Sequence, residues 1–473
     1  MIDDSVVDIN STKLYCSQVV LDHGYDTDDT IVALATPWGT SALAIIRGSG
    51  IGSIEKLSSL FVPSSKLKNA RGGTFVHGVV HDPVSGEELD DVVVLVFKAP
   101  ASYTGEDGFD ISCHGSLPGI AAILDALRKA GFRDAEPGEF TLRGFLNGKM
   151  DLTRAEAVRE IVESKSRKAH TLALTRLSGA IEKRIRTLRS KLLETAARIE
   201  IVLDYPDDEL DETVEIDTGP VESAIGELQS LLATFGTGRL YQEGVRVAIC
   251  GKTNAGKSSL FNLFLKEDRS IVSEVHGTTR DYIESWISLR GIPIRLFDTA
   301  GLRDGKDVVE AEGIRRTEEI VETADLLLYL VDAQEGVSGE DLGFLDDKAR
   351  RSRCIPVWSK TDLTAKEPPW GYTPLSAVSG YGFERLEEAI SSFFLEQAYA
   401  GSEAIIDSQR QKECLESALD FLKHVKAGLD EHVSLDAVAS DLQGALTAFG
   451  ELSGEITSAE VLNLIFSQFC VGK

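Results

Sequence analysis

Between Thr30 and about Arg143, short apolar runs rich in β-branched residues alternate with turns, predicting strands at Ile31 to Ala35, Ala42 to Ile46, Thr74 to Val80 and Val92 to Phe97. A helix is expected near Ile120 to Leu127, so this stretch reads as a small α/β domain. From Leu152 the period lengthens: Leu177, Ile181, Ile185, Leu188, Leu192, Ala196, Ile199 and Leu203 recur in steps of three and four, the inward stripe of a helix. An acidic, proline-bearing stretch from Asp204 to Asp217 reads as a solvated loop before a further helix over Val221 to Ala233. Apolar strands follow at Val245 to Cys250, Ile294 to Phe297, Leu326 to Val331 and Ile355 to Ser359, with a helix over Ser259 to Leu265. Helical periodicity returns over Leu415 to Leu446 and Ser458 to Phe469.

With 473 residues the chain is too long for one core, and a domain size of about 100 to 200 residues predicts three units or two. The expected division is an acidic tail at 1–29, an N-terminal domain at 30–148, a helical domain split into 149–243 and 399–473, and an α/β domain at 244–398 inserted between its halves. The 42% apolar content and 13 prolines are those of a globular chain, and no run reaches the roughly 18 apolar residues of a membrane span. The polar tail lacks the features of a secretory signal, so a soluble, cytoplasmic protein with no membrane contact is expected. Six scattered cysteines show neither CxxC nor a zinc spacing and suit reduced thiols. A formal charge of −27 excludes broad nonspecific nucleic-acid binding. Any RNA contact must therefore be local, and Lys165 to Arg189 offers a basic stretch that reads either as such a contact or as a solvated helix face.

The candidate chemistry begins at Gly251-Lys252-Thr253-Asn254-Ala255-Gly256-Lys257-Ser258, a GxxxxGKS phosphate loop between a predicted strand and the helix opened by Ser259. Its glycines let backbone N–H groups face one point, Lys257 supplies a phosphate cation and Ser258 a Mg²⁺ ligand. Thr278 and Thr279 lie in a polar GTTRD segment where a threonine can close onto Mg²⁺ and the γ-phosphate. Asp298-Thr299-Ala300-Gly301 ends a strand, placing an acid near the metal and a glycine amide where the γ-phosphate arrives. In Ser359-Lys360-Thr361-Asp362 the carboxylate can accept both guanine N1–H and N2–H, which favours guanine over adenine. Ser359 replaces the asparagine of NKxD, so a weaker tie between loops is expected. Ser376-Ala377-Val378 is the loop expected behind the base, and Leu302 occupies the position of a water-orienting glutamine, so another group must place the water.

Beyond these motifs the chain carries Asp29-Thr30-Ile31-Val32-Ala33, Thr104-Gly105-Glu106-Asp107 with Cys113-His114-Gly115, Pro137-Gly138-Glu139-Phe140, Phe145-Leu146-Asn147-Gly148-Lys149 and Phe469-Cys470-Val471-Gly472-Lys473. With them it resembles the MnmE (TrmE) family of tRNA-modification GTPases over nearly all residues after about Asp29. The resemblance implies α/β plus α architecture: an N-terminal α/β folate-binding-like domain that forms a homodimer, a discontinuous helical domain, and an inserted Ras-like P-loop G domain that dimerises across its nucleotide face. It implies GTP hydrolysis coupled, with the flavoprotein MnmG/GidA in a heterotetramer, to C5 (carboxymethyl)aminomethyl modification of the wobble uridine of certain tRNAs. A 5-formyl- or methylene-tetrahydrofolate would supply the one-carbon unit.

Carried over by motif, the resemblance implies Arg47, Lys149 and Lys473 as cations for a folate, with Asp110 where the family has a glutamate. Asn254 with Ser273, Val275 and Thr278 would hold K⁺ in place of an arginine finger, and Ser258 with Thr279 would hold Mg²⁺. Glu310 would organise the attacking water, joined as catalytic groups by Asn254 and Gly301, and the guanine nucleotide would be bound from Asn254 through Ser259. Cys470, flanked by Phe466 and Phe469, reads as a packing thiol, with a nucleophile as the alternative. A regulatory GTP switch in RNA or ribosome assembly would explain the G motifs but not the flanking ones. An ATP-dependent motor or kinase is disfavoured by Asp362.

Overall fold

In this computed structural model the described residues are 28–204, 216–267, 284–298, 315, 318–395, 404–431 and 433–473. They fall into two compact units, one within Met1–Arg159, Glu182–Asp217 and Asp420–Lys473, the other within Glu160–Ile181 and Thr218–Leu419. The stretch 149–243 expected as one helical piece is therefore shared between them.

The first unit is built on seven strands: β1 (Ile31–Leu34), β2 (Leu43–Ser49), β3 (Phe61–Val62), β4 (Thr74–His81), β5 (Glu88–Phe97), β6 (Gly108–His114) and β7 (Arg133–Asp134). Their order is β3-β4-β5-β6-β2-β1-β7, antiparallel except for β1 and β7. Alternation decides the faces: Ala44 and Ile46 are buried while Leu43 and Ile45 are open on the other side. The helix Leu117–Lys129 covers the inner face through Ile120, Ile123, Leu124 and Leu127, each worth about 1.5–3 kcal/mol of burial. Ser116 caps it by accepting from the Gly119 N–H at 3.2 Å. Strand β6 was not predicted, although Phe109, Ile111 and Cys113 alternate with Asp110, Ser112 and His114 in the period-two pattern of a half-buried strand.

The long helical stripe needs two corrections. Leu177 ends a separate helix, Arg167–Leu177, and Gly179 at φ 87° turns the chain before Ala180–Asp204 begins. Within that second helix Ile185, Leu188, Leu192 and Ile199 are buried as expected, but Thr195 is also buried and Leu203 is exposed. Likewise, the helical run from Leu415 divides into Gln409–Asp430 and Leu435–Ser453, followed by Ala459–Phe466 with Ser458 as its cap.

In the first unit, Arg143 is buried against Glu139 at 2.9 Å and Asp29 at 2.5 Å, with Glu106 at 3.4 Å. One guanidinium thus ties together three of the motifs that carry the family resemblance.

The second unit holds β8 (Val245–Gly251), β9 (Glu284–Leu289), β10 (Ile292–Asp298), β11 (Leu326–Asp332), β12 (Cys354–Ser359) and β13 (Thr373–Pro374), in the order β13-β12-β11-β8-β10-β9. All pair in parallel except β9 with β10. Continuous apolar strands such as Leu326-Leu327-Leu328-Tyr329-Leu330-Val331 are buried on both faces, as a covered parallel sheet requires. The helices Lys257–Glu267 and Phe383–Leu395 pack Leu260, Phe264, Leu386 and Ile390 on one face, and Ile320, Val321 and Phe344 lie on the other. In the same unit buried Arg176 joins Glu160 and lies 2.7 Å from Asp407, fastening the segment that leads into Gln409–Asp430. Among the described residues no helix is long and apolar enough to cross a membrane. The architecture is the α/β plus α arrangement expected, with a P-loop sheet.

Candidate nucleotide-binding site

The carboxyl ends of β8, β10, β11 and β12 open on one edge of the sheet, where a ligand meets loops rather than side-chain packing. At the end of β8, Gly251 has φ 131°, and a Cβ there would lie 2.4 Å from the Leu330 carbonyl oxygen. Only glycine permits that close passage. The loop continues through Asn254 at φ 63° and Gly256 at φ 95° into Lys257–Glu267, whose free N–H groups and positive dipole end face the loop. Lys257 is buried, and its Nζ donates to the carbonyls of Gly251 at 3.0 Å and Lys252 at 2.7 Å. A phosphate offers that ammonium a stronger, ionic acceptor than either carbonyl. Ser258 Oγ lies 2.9 Å from Asp298 Oδ2 at the end of β10, so two hard oxygen ligands of the kind Mg²⁺ takes stand together at the helix start.

Beside the loop a cavity of ≈ 210 Å³ is lined by Gly256, Ser259, Leu330, Ser359, Lys360, Asp362, Leu363, Leu375, Ala377 and Val378. Its lining combines the apolar Leu330, Leu363, Leu375, Ala377 and Val378 with one carboxylate, which suits a purine with paired N–H donors. Asp362 sits in the short 3₁₀ turn Thr361–Leu363. Lys360, at φ 58°, crosses to Asp332 with Nζ and Oδ2 2.7 Å apart. Burial opposes ionisation of Asp332, but the Lys360 ammonium and the Gln334 N–H outweigh it and hold the carboxyl below its usual range. Ser376 is buried, accepts from the Ser379 N–H at 3.2 Å and donates its own N–H to Tyr381, which sets Ala377 and Val378 at the cavity wall.

At Ser359, where a weaker tie between loops was expected, a contact is present. The Ser359 hydroxyl lies 2.7 Å from the Ala255 carbonyl and 3.0 Å from that of Val331, so it still ties β12 to the phosphate loop. Ser359→Ala would leave the buried Ala255 oxygen without that donor, at about 1–2 kcal/mol. GDP affinity measured with a fluorescent analogue is expected to fall about tenfold; unchanged affinity would show the tie to be idle.

Three contacts escaped the sequence reading. Lys252 Nζ reaches Ser338 Oγ at 2.5 Å, the cap of the helix Gly339–Leu345, while Asp341 in that helix accepts from Tyr329 at 3.0 Å. The Asp332–Lys360 pair was the third; its only signal was an acid closing an apolar strand.

Ser273, Val275, Thr278, Thr279, Thr299, Ala300, Gly301 and Glu310 lie outside the described residues. Of the K⁺ set only Asn254 is described, exposed on the lip of the loop.

In the first unit Arg47 and Asp110 face each other across β2 and β6, with paired contacts at 2.9 and 3.0 Å. The hydrogen bond to Asp110, against the cost of burial, raises the Arg47 pKa. Arg47 Nη1 also donates to the Gly472 carbonyl at 3.4 Å, which brings the Gly472–Lys473 pair to the same place. Lys149 is engaged elsewhere, donating to the Pro100 carbonyl at 2.8 Å. A ligand carboxylate at this place would have to displace Asp110 from Arg47. Cys470 is exposed while Phe466 and Phe469 are buried, so the packing reading of this thiol is corrected. Burial pushes Cys250 and Cys354 up to about 12 and makes them inert packing groups. No cluster of metal-ligating side chains occurs among the described residues.

A family profile described as the MnmE helical domain matches residues 152–470, and one described as the GTP-binding protein TrmE N-terminus matches residues 30–149. The chain is 39% identical over 462 residues to the tRNA modification GTPase MnmE of Borrelia recurrentis (strain A1), covering 95% of this chain and 99% of that protein. It is 39% identical over 460 residues to the tRNA modification GTPase MnmE of Carboxydothermus hydrogenoformans, covering 94% and 100%. Among solved structures it is similar to the G domain of the T. maritima FeoB iron transporter, with 25% identity and a TM-score of 0.24 over 32% of this chain and 98% of that one.

Proposed function

This chain belongs to the MnmE family of tRNA modification GTPases, and from that premise we propose that it hydrolyses GTP to drive C5 (carboxymethyl)aminomethyl modification of the tRNA wobble uridine. The observation that carries the nucleotide part is the cavity with Asp362 as its one carboxylate beside the Lys257 loop. The base enters between Leu363 and the Ala377–Val378 wall, and Asp362 accepts its N1–H and N2–H. Lys257 then moves from the Gly251 and Lys252 carbonyls onto the phosphates, where it meets the negative charge that grows as the terminal phosphoryl group leaves. Ser258 and Asp298, with Thr279, would hold Mg²⁺, which would supply charge neutralisation at the phosphates.

Asn254, with Ser273, Val275 and Thr278, would hold K⁺, which would supply positive charge at the phosphates in place of an arginine finger. Glu310 places the water that Leu302 cannot. Arg47, Asp110, Lys149 and Lys473 hold a tetrahydrofolate in the N-terminal domain, the chain works as a cytoplasmic homodimer, and the flavoprotein MnmG/GidA completes the modifying complex. The family membership supports these assignments, as does the convergence of Arg47, Asp110 and Gly472.

The test is mass spectrometry of tRNA nucleosides from cells lacking the gene. C5-substituted wobble uridines should vanish, return with the intact gene, and fail to return with Asp298→Ala. Unchanged nucleosides would leave only a GTPase and favour the regulatory switch.

A further inference from the structure

Three consecutive residues at the end of β11, all outside the nucleotide motifs of the sequence, reach the turn that carries Asp362. Strand register sets Asp332 beside Ser359, and the Ala333 N–H donates to the Ser359 carbonyl at 3.0 Å. Asp332 Oδ1 accepts from the Gln334 N–H at 2.9 Å, a local bond of the kind that turns a chain at a strand end. Asp332 Oδ2 takes the Lys360 ammonium at 2.7 Å. The Gln334 side chain donates to the Leu363 carbonyl at 3.4 Å, and the Gln334 carbonyl accepts from Lys366. Residues 332–334 therefore hold the chain on both sides of Asp362.

That turn depends on being held. Lys360 enters it at φ 58°, in the left-handed region that a lysine adopts only against a steric cost. Asp362 is exposed, so the backbone of the turn sets its direction rather than packing around its side chain.

We propose that Asp332 is a positioning residue for guanine recognition, which acts through Lys360, with Gln334, to aim the Asp362 carboxylate into the cavity. The proposal rests on the reading of Asp362 as the base acceptor and adds a residue to that specificity. Guanine presents N1–H and N2–H side by side, and both meet the carboxylate well only when its plane lies along the base edge. Rotation of the turn leaves one good hydrogen bond and one poor one. Hypoxanthine offers N1–H alone and tolerates the same rotation, so losing Asp332 erodes discrimination rather than nucleotide binding at large.

The experiment uses the full-length chain and competes GDP and inosine diphosphate against a fluorescent guanine nucleotide. Asp332→Asn keeps an acceptor for the Gln334 N–H but sets its own N–H₂ against the Lys360 ammonium, so the pair is lost at nearly constant volume. GDP binding should weaken about tenfold, the worth of one hydrogen bond to a charged group, and inosine diphosphate binding much less. KM for GTP should rise while single-turnover hydrolysis at saturating GTP keeps its rate. In an Asp362→Asn background the same substitution should cost GDP little more, because the carboxylate it aims is gone. Asp332→Ser, too short to engage Lys360, should give the same pattern and carries the test if the asparagine variant melts early.

Unaltered GDP affinity, an equal loss for both diphosphates, or full additivity with Asp362→Asn would overturn the positioning role and leave Asp362 as the base acceptor. An unaltered chain that binds both diphosphates equally, or an Asp362→Asn variant that binds GDP as before, would overturn the guanine reading and the proposal with it.

Discussion

An Asp362→Asn variant is expected to bind GDP about a hundredfold more weakly and to gain affinity for the xanthine nucleotide. The carboxylate at the cavity wall can accept two donors from a guanine, whereas an amide there offers one acceptor and one donor. It therefore keeps one hydrogen bond and sets its own N–H₂ against the base's exocyclic amine. A lost hydrogen bond to a charged group is worth about 1.5–3 kcal/mol, and each 1.4 kcal/mol is about tenfold in affinity. Xanthine carries an oxygen where guanine carries that amine, so the asparagine N–H₂ gains an acceptor. Competition of GDP and xanthosine diphosphate against a fluorescent guanine nucleotide measures both arms. An unchanged GDP constant would remove Asp362 from base recognition, and a gain for ADP would revive the ATP-using alternative.

The second large effect is expected at Lys257. Lys257→Met keeps length and apolar bulk at this buried position but removes the ammonium that pairs with the Gly251 and Lys252 carbonyls and, on our reading, with the phosphates. Loss of one preorganised donor to transition-state charge lowers turnover by about a hundred- to a thousandfold. The two carbonyls left behind cost stability as well, about 1 kcal/mol each, so melting should be followed alongside single-turnover hydrolysis. Slow hydrolysis by a folded variant that still binds GDP is the expected pattern. Hydrolysis at the original rate would place the chemistry elsewhere.

These two residues were legible before the fold was known because their motifs act through the local chain. Glycines at Gly251 and Gly256, a lysine and a serine at the helix start, and an apolar strand before them specify a phosphate loop whatever surrounds it. The strands β8, β10, β11 and β12 were legible for a related reason, since a strand largely buried on both faces is a mostly apolar run, broken here only by Arg246 in β8 and Arg295 in β10. The break after Leu177 was hidden by apolar spacing that continues across Gly179, whereas β6, whose apolar and polar residues alternate, was written in the sequence.

By itself the sequence determined the phosphate loop, the family to which the chain belongs and the class of its fold, and it marked Asp362 as the candidate base-reading acid, because each is written in residues that are neighbours along the chain. Tertiary structure alone decided that Ser359 still fastens the phosphate loop, that Asp332 restrains Lys360, that Arg143 gathers Asp29, Glu106 and Glu139, and that Cys470 faces outward. Each of the first three is a contact between segments distant in sequence, set by strand register and by the need of buried polar groups for partners. The outward turn of Cys470 is likewise set by packing, which buries the flanking Phe466 and Phe469 and leaves the thiol between them to solvent. No periodicity or motif encodes such meetings, because they exist only once the sheet has placed the ends of its strands side by side.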